Sequence, residues 1–248
     1  MCGIFTSVST CTWNSPCPEL QDLLCKRGPD HIGHQKTHIL GQDGYQYFIS
    51  LVSTVLALRG GLLTTQPFVD SSTQSTLCWN GEAWTLGAAQ VEGNDGKAVF
   101  DALIRASCTP VKGSMATDAV LATLRSISGP FAFVYLDRTH SCIYFGRDRL
   151  GRRSLLYKND SNGIELSSTA DSMSGEWKEV EADGIYRISL SEKITPGVST
   201  QSNDHIFSTS VLPIVRYIWD IVDSVVRYYG IRTVLPPMSR ALHILTCR

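Results

Sequence analysis

Residues 1–10 read MCGIFTSVST. A cysteine directly follows the initiating methionine, and a glycine follows the cysteine. Ile4 to Thr10 is a loosely alternating run rich in β-branched residues, which predicts a strand. Aminopeptidases remove an initiating methionine when the next side chain is small, which would make Cys2 the first residue. A cysteine in that place carries two useful groups. Its thiol is a nucleophile, and its α-amine, with an ordinary pKa of about 7.7–8.0, accepts the thiol proton near neutral pH. No other side chain is then needed as the base. Gly3 allows close approach of the backbone, and the strand holds the nucleophile at its edge. The other reading is that a cysteine at position 2 is incidental, and the rest of the chain has to decide.

Composition narrows the setting. The chain has 248 residues, 43% of them hydrophobic, enough for a substantial core in one large or two small domains. Lysine and arginine number 22 against 23 acidic residues, for a net charge of −1. No basic stripe with interleaved aromatics stands out, so no nucleic-acid partner is expected. Charged residues make up only 18%, which argues for a folded, soluble chain. The N-terminus lacks a charged region followed by an apolar core, so no secretory signal is expected. No uncharged apolar run reaches about 18 residues, so no membrane span is expected. The best candidate, Val211 to Val226, is interrupted by Arg216, Asp220 and Asp223. The eight cysteines form neither a C-x-x-C pair nor a zinc spacing with histidine. Reduced thiols in the cytoplasm are the expectation.

The pattern along the chain predicts α+β architecture. Glu19 to Lys26 is a short amphipathic helix with Leu20, Leu23 and Leu24 on one face, stopped by Arg27-Gly-Pro-Asp30. Strands are predicted at Tyr45 to Ala57, Thr76 to Trp79 and Ala83 to Leu86. Asp95 to Ala106 and Ala116 to Leu124 have helical period. Phe131 to Asp137 and Ser141 to Gly146 form a hairpin-like pair. Further strands are predicted at Ser154 to Lys158, Gly163 to Ser168 and Gly184 to Leu190. Runs of strands with the helices in separate blocks argue against alternating βαβ units.

Two segments bear on the chemistry of Cys2. In Trp79-Asn80-Gly81-Glu82, Asn-Gly after a strand is a turn signal by itself. It is also a candidate oxyanion hole, with the Asn80 side-chain amide and the Gly81 N–H as donors. Glu82 beside them would accept a cationic group. The second segment is Leu58-Arg59-Gly60-Gly61, followed by Gln66-Pro67. Arg59 ends an apolar strand, and its planar fork suits a carboxylate. It also reads as an ordinary surface arginine. His31, His34 and His38 form a loose polar cluster whose spacing would suit ligands on a helix. They follow Gly-Pro and lack a fourth ligand, so no metal site is assigned.

Together these pieces resemble a known family. MCGI, RGPD at 27–30, LRG at 58–60 with Gln66-Pro67, WNGE at 79–82, Asn94-Asp95 before a helix, and FGRDRLGRRSLLY at 145–157 are similar in order and spacing to class II glutamine amidotransferases. Within that class they are most like the glutaminase domain of asparagine synthetases. The resemblance covers roughly residues 2–190. It implies an αββα sandwich, two antiparallel sheets flanked by helices, of the N-terminal nucleophile hydrolase type. It implies L-glutamine as substrate and Cys2 as nucleophile, with Asn80 and Gly81 as the oxyanion hole. Arg59 would grip the α-carboxylate, and Glu82 and Asp95 would accept the α-ammonium. In the family, Arg27–Asp30 and Arg147–Asp148 help build the site walls. The preferred reading here is a structural turn with a buried ion pair at each. Gly151-Arg152-Arg153-Ser154 departs from the family pattern, in which an apolar or lysine residue precedes a proline.

The end of the chain is expected to lie outside that domain. Residues 191–210 shift to Ser, Thr, Asn and Gly and read as a linker. Residues 211–229 carry apolar residues at helical spacing, which predicts an amphipathic helix. The resemblance makes residues 211–248 a helix and tail, the remnant of a synthetase domain that is missing from a truncated chain. ATP and magnesium would belong to that domain. No S-G-G-x-D-S loop and no phosphate-binding G-x-x-x-x-G-K-[ST] loop stands in the sequence, so no cofactor is expected here. The apolar face of that helix would seek a protein partner. A catalytically silent interaction or regulatory module of the same fold is the alternative function.

Overall fold

A computed structural model describes residues 1–57, 63–108, 115–161, 163–191, 212 and 214–219. In chain order the elements are β1 Gly3–Ser9, α1 Pro18–Arg27, β2 His31–Leu40, β3 Gln46–Val55, β4 Phe68–Val69, β5 Thr76–Gly81, β6 Thr85–Leu86, β7 Ala89–Gln90, α2 Asp95–Cys108, α3 Ala116–Arg125, β8 Ile127–Ser128, β9 Phe131–Asp137, β10 Cys142–Arg147, β11 Leu156–Asn159, β12 Gly163–Ser167, β13 Lys178–Glu179, β14 Gly184–Ser189 and β15 Ile214–Ile218. Among the described residues, one sheet has the order β13-β11-β12-β1-β3-β2 and a second the order β15-β14-β10-β9-β5-β4. A small third sheet is β7-β6-β8. The strand pairs in both large sheets are antiparallel.

Alternation along the central strands builds the layers. In β1, Ile4 and Val8 enter a core shared with Val134, Leu136, Ile143 and Phe145 of the other sheet. Phe5 turns the opposite way and packs with Val52 of β3 against Leu20 and Leu24 of α1. In β9, Val134 and Leu136 face that shared core. Tyr135 faces outward, where its hydroxyl meets Ser107 Oγ of α2 at 2.9 Å. From β10, Tyr144 donates its hydroxyl to Thr117 Oγ1 of α3 at 3.3 Å. Helices therefore cover both outer faces, and the order is helix, sheet, sheet, helix. Each large apolar side chain buried in the shared core stabilises the sandwich by roughly 1.5–3 kcal/mol.

Two expectations about elements need correction. Residues 31–40 carry no apolar alternation, yet they form β2. Among the described residues this is an edge strand of the first sheet that pairs with β3, so its side chains are under little demand to be apolar. A spacing of three along a strand places His31 and His34 on opposite faces, unlike the helix geometry considered for them. The second correction concerns the helix expected over residues 211–229. Ile214–Ile218 is a strand that pairs antiparallel with β14, Ile214 opposite Ile188 and Ile218 opposite Gly184. A short apolar run rich in β-branched residues fits either period, and β14 offers an edge to pair with. Residues 220–229 lie outside the described residues, as does the expected linker after Ser191 up to residue 210. The unit that holds the sheets runs from Met1 to Ile218. Among the described residues, no helix is long and apolar enough to cross a membrane.

Candidate active site

The start of β1, the ends of β3 and β5, and the start of α2 converge on one pocket. Its lining includes Met1, Cys2, Leu56, Gln66, Trp79, Asn80, Gly81, Glu82, Asp95 and Arg153. Five of the residues singled out in the sequence, Cys2, Asn80, Gly81, Glu82 and Asp95, are thus brought together. Arg59 lies outside the described residues.

Cys2 is held from several sides. A Cβ at Gly3 would lie 2.4 Å from Thr54 Oγ1 and 3.0 Å from Leu24 Cδ2, so only glycine lets α1 and β3 close on the strand here. Thr54 Oγ1 donates to Leu24 O at 2.7 Å and ties the same two elements together. The Cys2 thiol reaches toward Leu56 O at 4.0 Å, and Arg27 Nε donates to Cys2 O at 3.4 Å. Arg27 Nη2 is buried with no hydrogen-bond partner among the described residues. Burial pushes the Cys2 thiol up, partly offset by the nearby terminal amine and Arg27. Burial pushes the terminal amine down, and the Arg27 and Arg153 cations push it the same way. With Met1 in place that amine belongs to Met1, one residue removed from the thiol.

Asn80 and Gly81 end β5. Asn80 is 1% exposed, and its Nδ2 has no partner among the described residues. An orphaned buried donor costs about 1–3 kcal/mol and calls for an explanation. For Gly81 the strand pattern gives the direction of the N–H. Glu82 N donates to Pro130 O, on the β9 side, at 2.8 Å. Trp79 N points to the other side, where it donates to Gln66 Oε1 at 2.8 Å. Amides two residues apart share a side, so Gly81 N–H faces the same way as Trp79 N–H. β4 pairs only with Thr76 and Leu77, so it stops short of that amide. A Cβ at Gly81 would sit 2.6 Å from Phe131 Cβ and 2.7 Å from Pro130 O, which keeps this position glycine.

The two carboxylates differ. Asp95 opens α2 and is 7% exposed. Its Oδ2 accepts from Trp79 Nε1 at 3.0 Å and from Ala83 N at 2.9 Å. Both donors are neutral, so they fix the carboxylate without cancelling its charge. Glu82 is more open, with Arg153 Nη2 3.8 Å from its Oε1. Together they can hold a cation close to Cys2. Sequence reasoning missed the two braces behind them, the Trp79 indole and the Gln66 amide. Their residue types carry the needed donor and acceptor, but the pairings join separate segments.

The other two segments divide. Arg147 and Asp148 are buried and structural. Asp148 pairs with Arg152 at 2.9 Å and accepts from Phe131 N at 3.1 Å. Arg147 binds Glu179, and it donates to Arg153 O at 2.7 Å and Val180 O at 3.0 Å. At 27–30 the expected buried ion pair is not found among the described residues: Asp30 is exposed and accepts from Ala57 N at 2.8 Å, while Arg27 stands beside Cys2.

A family model described as "Glutamine amidotransferase domain" matches residues 1–212. Asparagine synthetase domain-containing protein 1 of Bos taurus is 35% identical over 198 residues, covering 77% of this chain and 29% of that protein. The Homo sapiens protein of the same name is 33% identical over 205 residues, covering 79% of this chain and 30% of that one. The chain therefore spans about 30% of the length of these relatives. Among solved structures, the glutamine phosphoribosylpyrophosphate amidotransferase from B. subtilis superposes with a TM-score of 0.53 at 14% identity. That match covers 75% of this chain and 47% of the other, and it supports the αββα sandwich as a likeness of fold. The agreement of sequence and fold over the two sheets places the chain in the glutamine amidotransferase domain family.

Proposed function

We propose that this chain catalyses the glutaminase half-reaction, converting L-glutamine and water to L-glutamate and ammonia through a thioester on Cys2. The observation that carries the reading is Asn80 Nδ2, buried with no partner among the described residues, next to Gly81 in the pocket that Cys2 lines. After removal of Met1, the Cys2 amine takes the thiol proton, and the thiolate attacks the side-chain amide carbon. Negative charge collects on the amide oxygen, where Asn80 Nδ2 and Gly81 N–H donate to it. The protonated amine returns its proton to the leaving nitrogen, and ammonia departs. Water then attacks the thioester and frees glutamate. Asp95 and Glu82 accept the substrate ammonium, and Arg59 holds its carboxylate. A zwitterionic substrate needs one partner of each sign.

No step here uses a nucleotide or a metal. The names of the relatives support a further proposal, that the ammonia serves the conversion of aspartate to asparagine. That acceptor reaction would need ATP and magnesium on a domain of the kind these 248 residues carry no phosphate loop for. The test is an intact mass of the purified protein before and after 6-diazo-5-oxo-L-norleucine, with glutamate release measured on the same sample. Loss of Met1, a single adduct on Cys2 and release of glutamate are expected. A retained Met1, or a processed chain that takes no adduct, would replace this reading with the silent interaction module.

A further inference from the structure

Arg153 has no part in the chemistry above, yet it lines the same pocket as Met1, Cys2 and Glu82. Its backbone is fixed. Arg147 Nε donates to its carbonyl at 2.7 Å, and the next residue, Ser154, donates its hydroxyl to Ser168 O at 2.7 Å. Ser168 is bonded in both directions to Ile4, N to O at 2.9 Å and Oγ to N at 3.0 Å. The base of the Arg153 side chain is therefore tied to β1 two residues beyond Cys2. The side chain itself is long and 21% exposed, and it ends 3.8 Å from Glu82. It spans from the nucleophile's strand to a carboxylate expected to receive the substrate ammonium.

Among the described residues, the charged groups around the thiol are Arg27 from α1, Arg153, the terminal amine, Asp95 from α2 and Glu82 after β5. Glu82 cannot serve the guanidinium and an arriving ammonium equally, because two cations at one carboxylate repel. We propose that Arg153 is a positioning residue that senses the substrate ammonium: it pairs with Glu82 in the empty pocket and is released toward Cys2 when an α-amino acid takes Glu82. Next to Cys2, its charge favours thiolate over thiol and neutral amine over ammonium. The Arg153 charge is already felt at that end of the pocket, where it works with Arg27 to push the terminal amine down. The inference rests on the glutaminase reading for the identity of the ammonium donor.

The test is a double-mutant cycle read by the pH profile of Cys2 alkylation. Iodoacetamide is used on processed protein without substrate, and the Cys2 peptide is quantified by mass. Arg153→Gln should raise the alkylation midpoint by about half to one pH unit, and Arg153→Lys should hold it. Glu82→Gln, which frees Arg153, should lower it at least about twice as far in the wild-type background as in Arg153→Gln. A second arm compares glutamine with 4-carbamoylbutyrate, which lacks the α-ammonium. The kcat advantage of glutamine should be about tenfold in the wild type and under about threefold in Arg153→Gln. Additive midpoint shifts, or an unchanged kcat ratio, overturn the proposal. Arg153→Met, which keeps the aliphatic stem, replaces the glutamine variant if that one unfolds. Alkylation needs no turnover, so coupled shifts in a chain that releases no glutamate would reject the glutaminase reading instead.

Discussion

Replacing Asn80 by alanine separates catalysis from stability in an unusual way. In most buried sites, truncating a polar side chain strands its partner and unfolds the protein. Here Nδ2 has no partner among the described residues, so the ligand-free state loses no hydrogen bond from that atom. The orphaned donor costs about 1–3 kcal/mol, which the variant recovers. The lost side-chain packing costs a similar amount. Stability should change by no more than about 1 kcal/mol, which for a domain of this size is about 2–4 °C in Tm. The transition state is another matter. One oxyanion donor is worth about 100- to 1000-fold in kcat, or about 2.7–4 kcal/mol. Asn80→Ala should therefore lower kcat for glutamate release by that factor, move KM by less than about threefold, and leave thermal unfolding almost where it was. A kcat within about threefold of wild type would refute the oxyanion assignment. A Tm lower by more than about 10 °C would show that Asn80 is a structural residue.

Other consequences can be checked directly. Gly3→Ala places a Cβ 2.4 Å from Thr54 Oγ1 and 3.3 Å from Leu24 O, so denaturant titration should show a loss of about 1–3 kcal/mol as α1 is pushed off β1. In a chain that keeps Met1, burial holds the Cys2 thiol above its ordinary 9.0. Its alkylation should then be slow at neutral pH and rise about tenfold per unit toward pH 9, and a plateau below pH 8 would contradict this. Burial alone would raise the Asp171 carboxyl, but bonds from Ser174, Met173 N and Trp177 outweigh it and hold the group at about 2. A depressed carboxylate stabilises the fold above its unfolded pKa of about 3.9, and that stability fades as pH falls toward 2. Asp171→Asn should flatten the stability profile across that window, as read by urea unfolding at a series of pH values.

The core strands and the three helices among the described residues were legible in the sequence because each has a strong period and a buried face. FAFVYLD at 131–137 and the leucines of α1 admit little else. The polar ends of the fold were harder. Among the described residues β2 pairs on one side only, with β3, and its composition, HIGHQKTHIL, carries no apolar alternation. The apolar spacing of Ile214–Ile218 fits both periods, and the pairing with the edge of β14 decides between them. Within the site, the chemistry of Cys2, Asn80 and Glu82 and the backbone N–H of Gly81 could be read from the sequence, and Asp95 came from the family resemblance; the structure brings all five to one pocket. Trp79, Gln66 and Arg153 could not be read in this way. Their importance comes from partners in other segments, the Asp95 carboxylate, the Trp79 amide and the Glu82 carboxylate, and local pattern carries no information about such pairs.

That division follows from where the site lies. Cys2 is carried by β1 in one sheet, and the expected oxyanion donors are carried by β5 in the other. β1 meets β5 and β9 across the core, and β3 meets β5. The distance from thiol to oxyanion donors is therefore set by the side chains packed between the sheets, among them Ile4, Leu51, Cys78 and Val134. Packed interiors do not deform smoothly; they hold a spacing or lose it. The expected nucleophile and its expected donors, placed on opposite sheets, are thus aligned by the same apolar contacts that fold the domain. The strongly periodic strands and the chemically distinctive residues at their ends are two aspects of one constraint, which is why the sequence discloses both while leaving the braces between them to the structure.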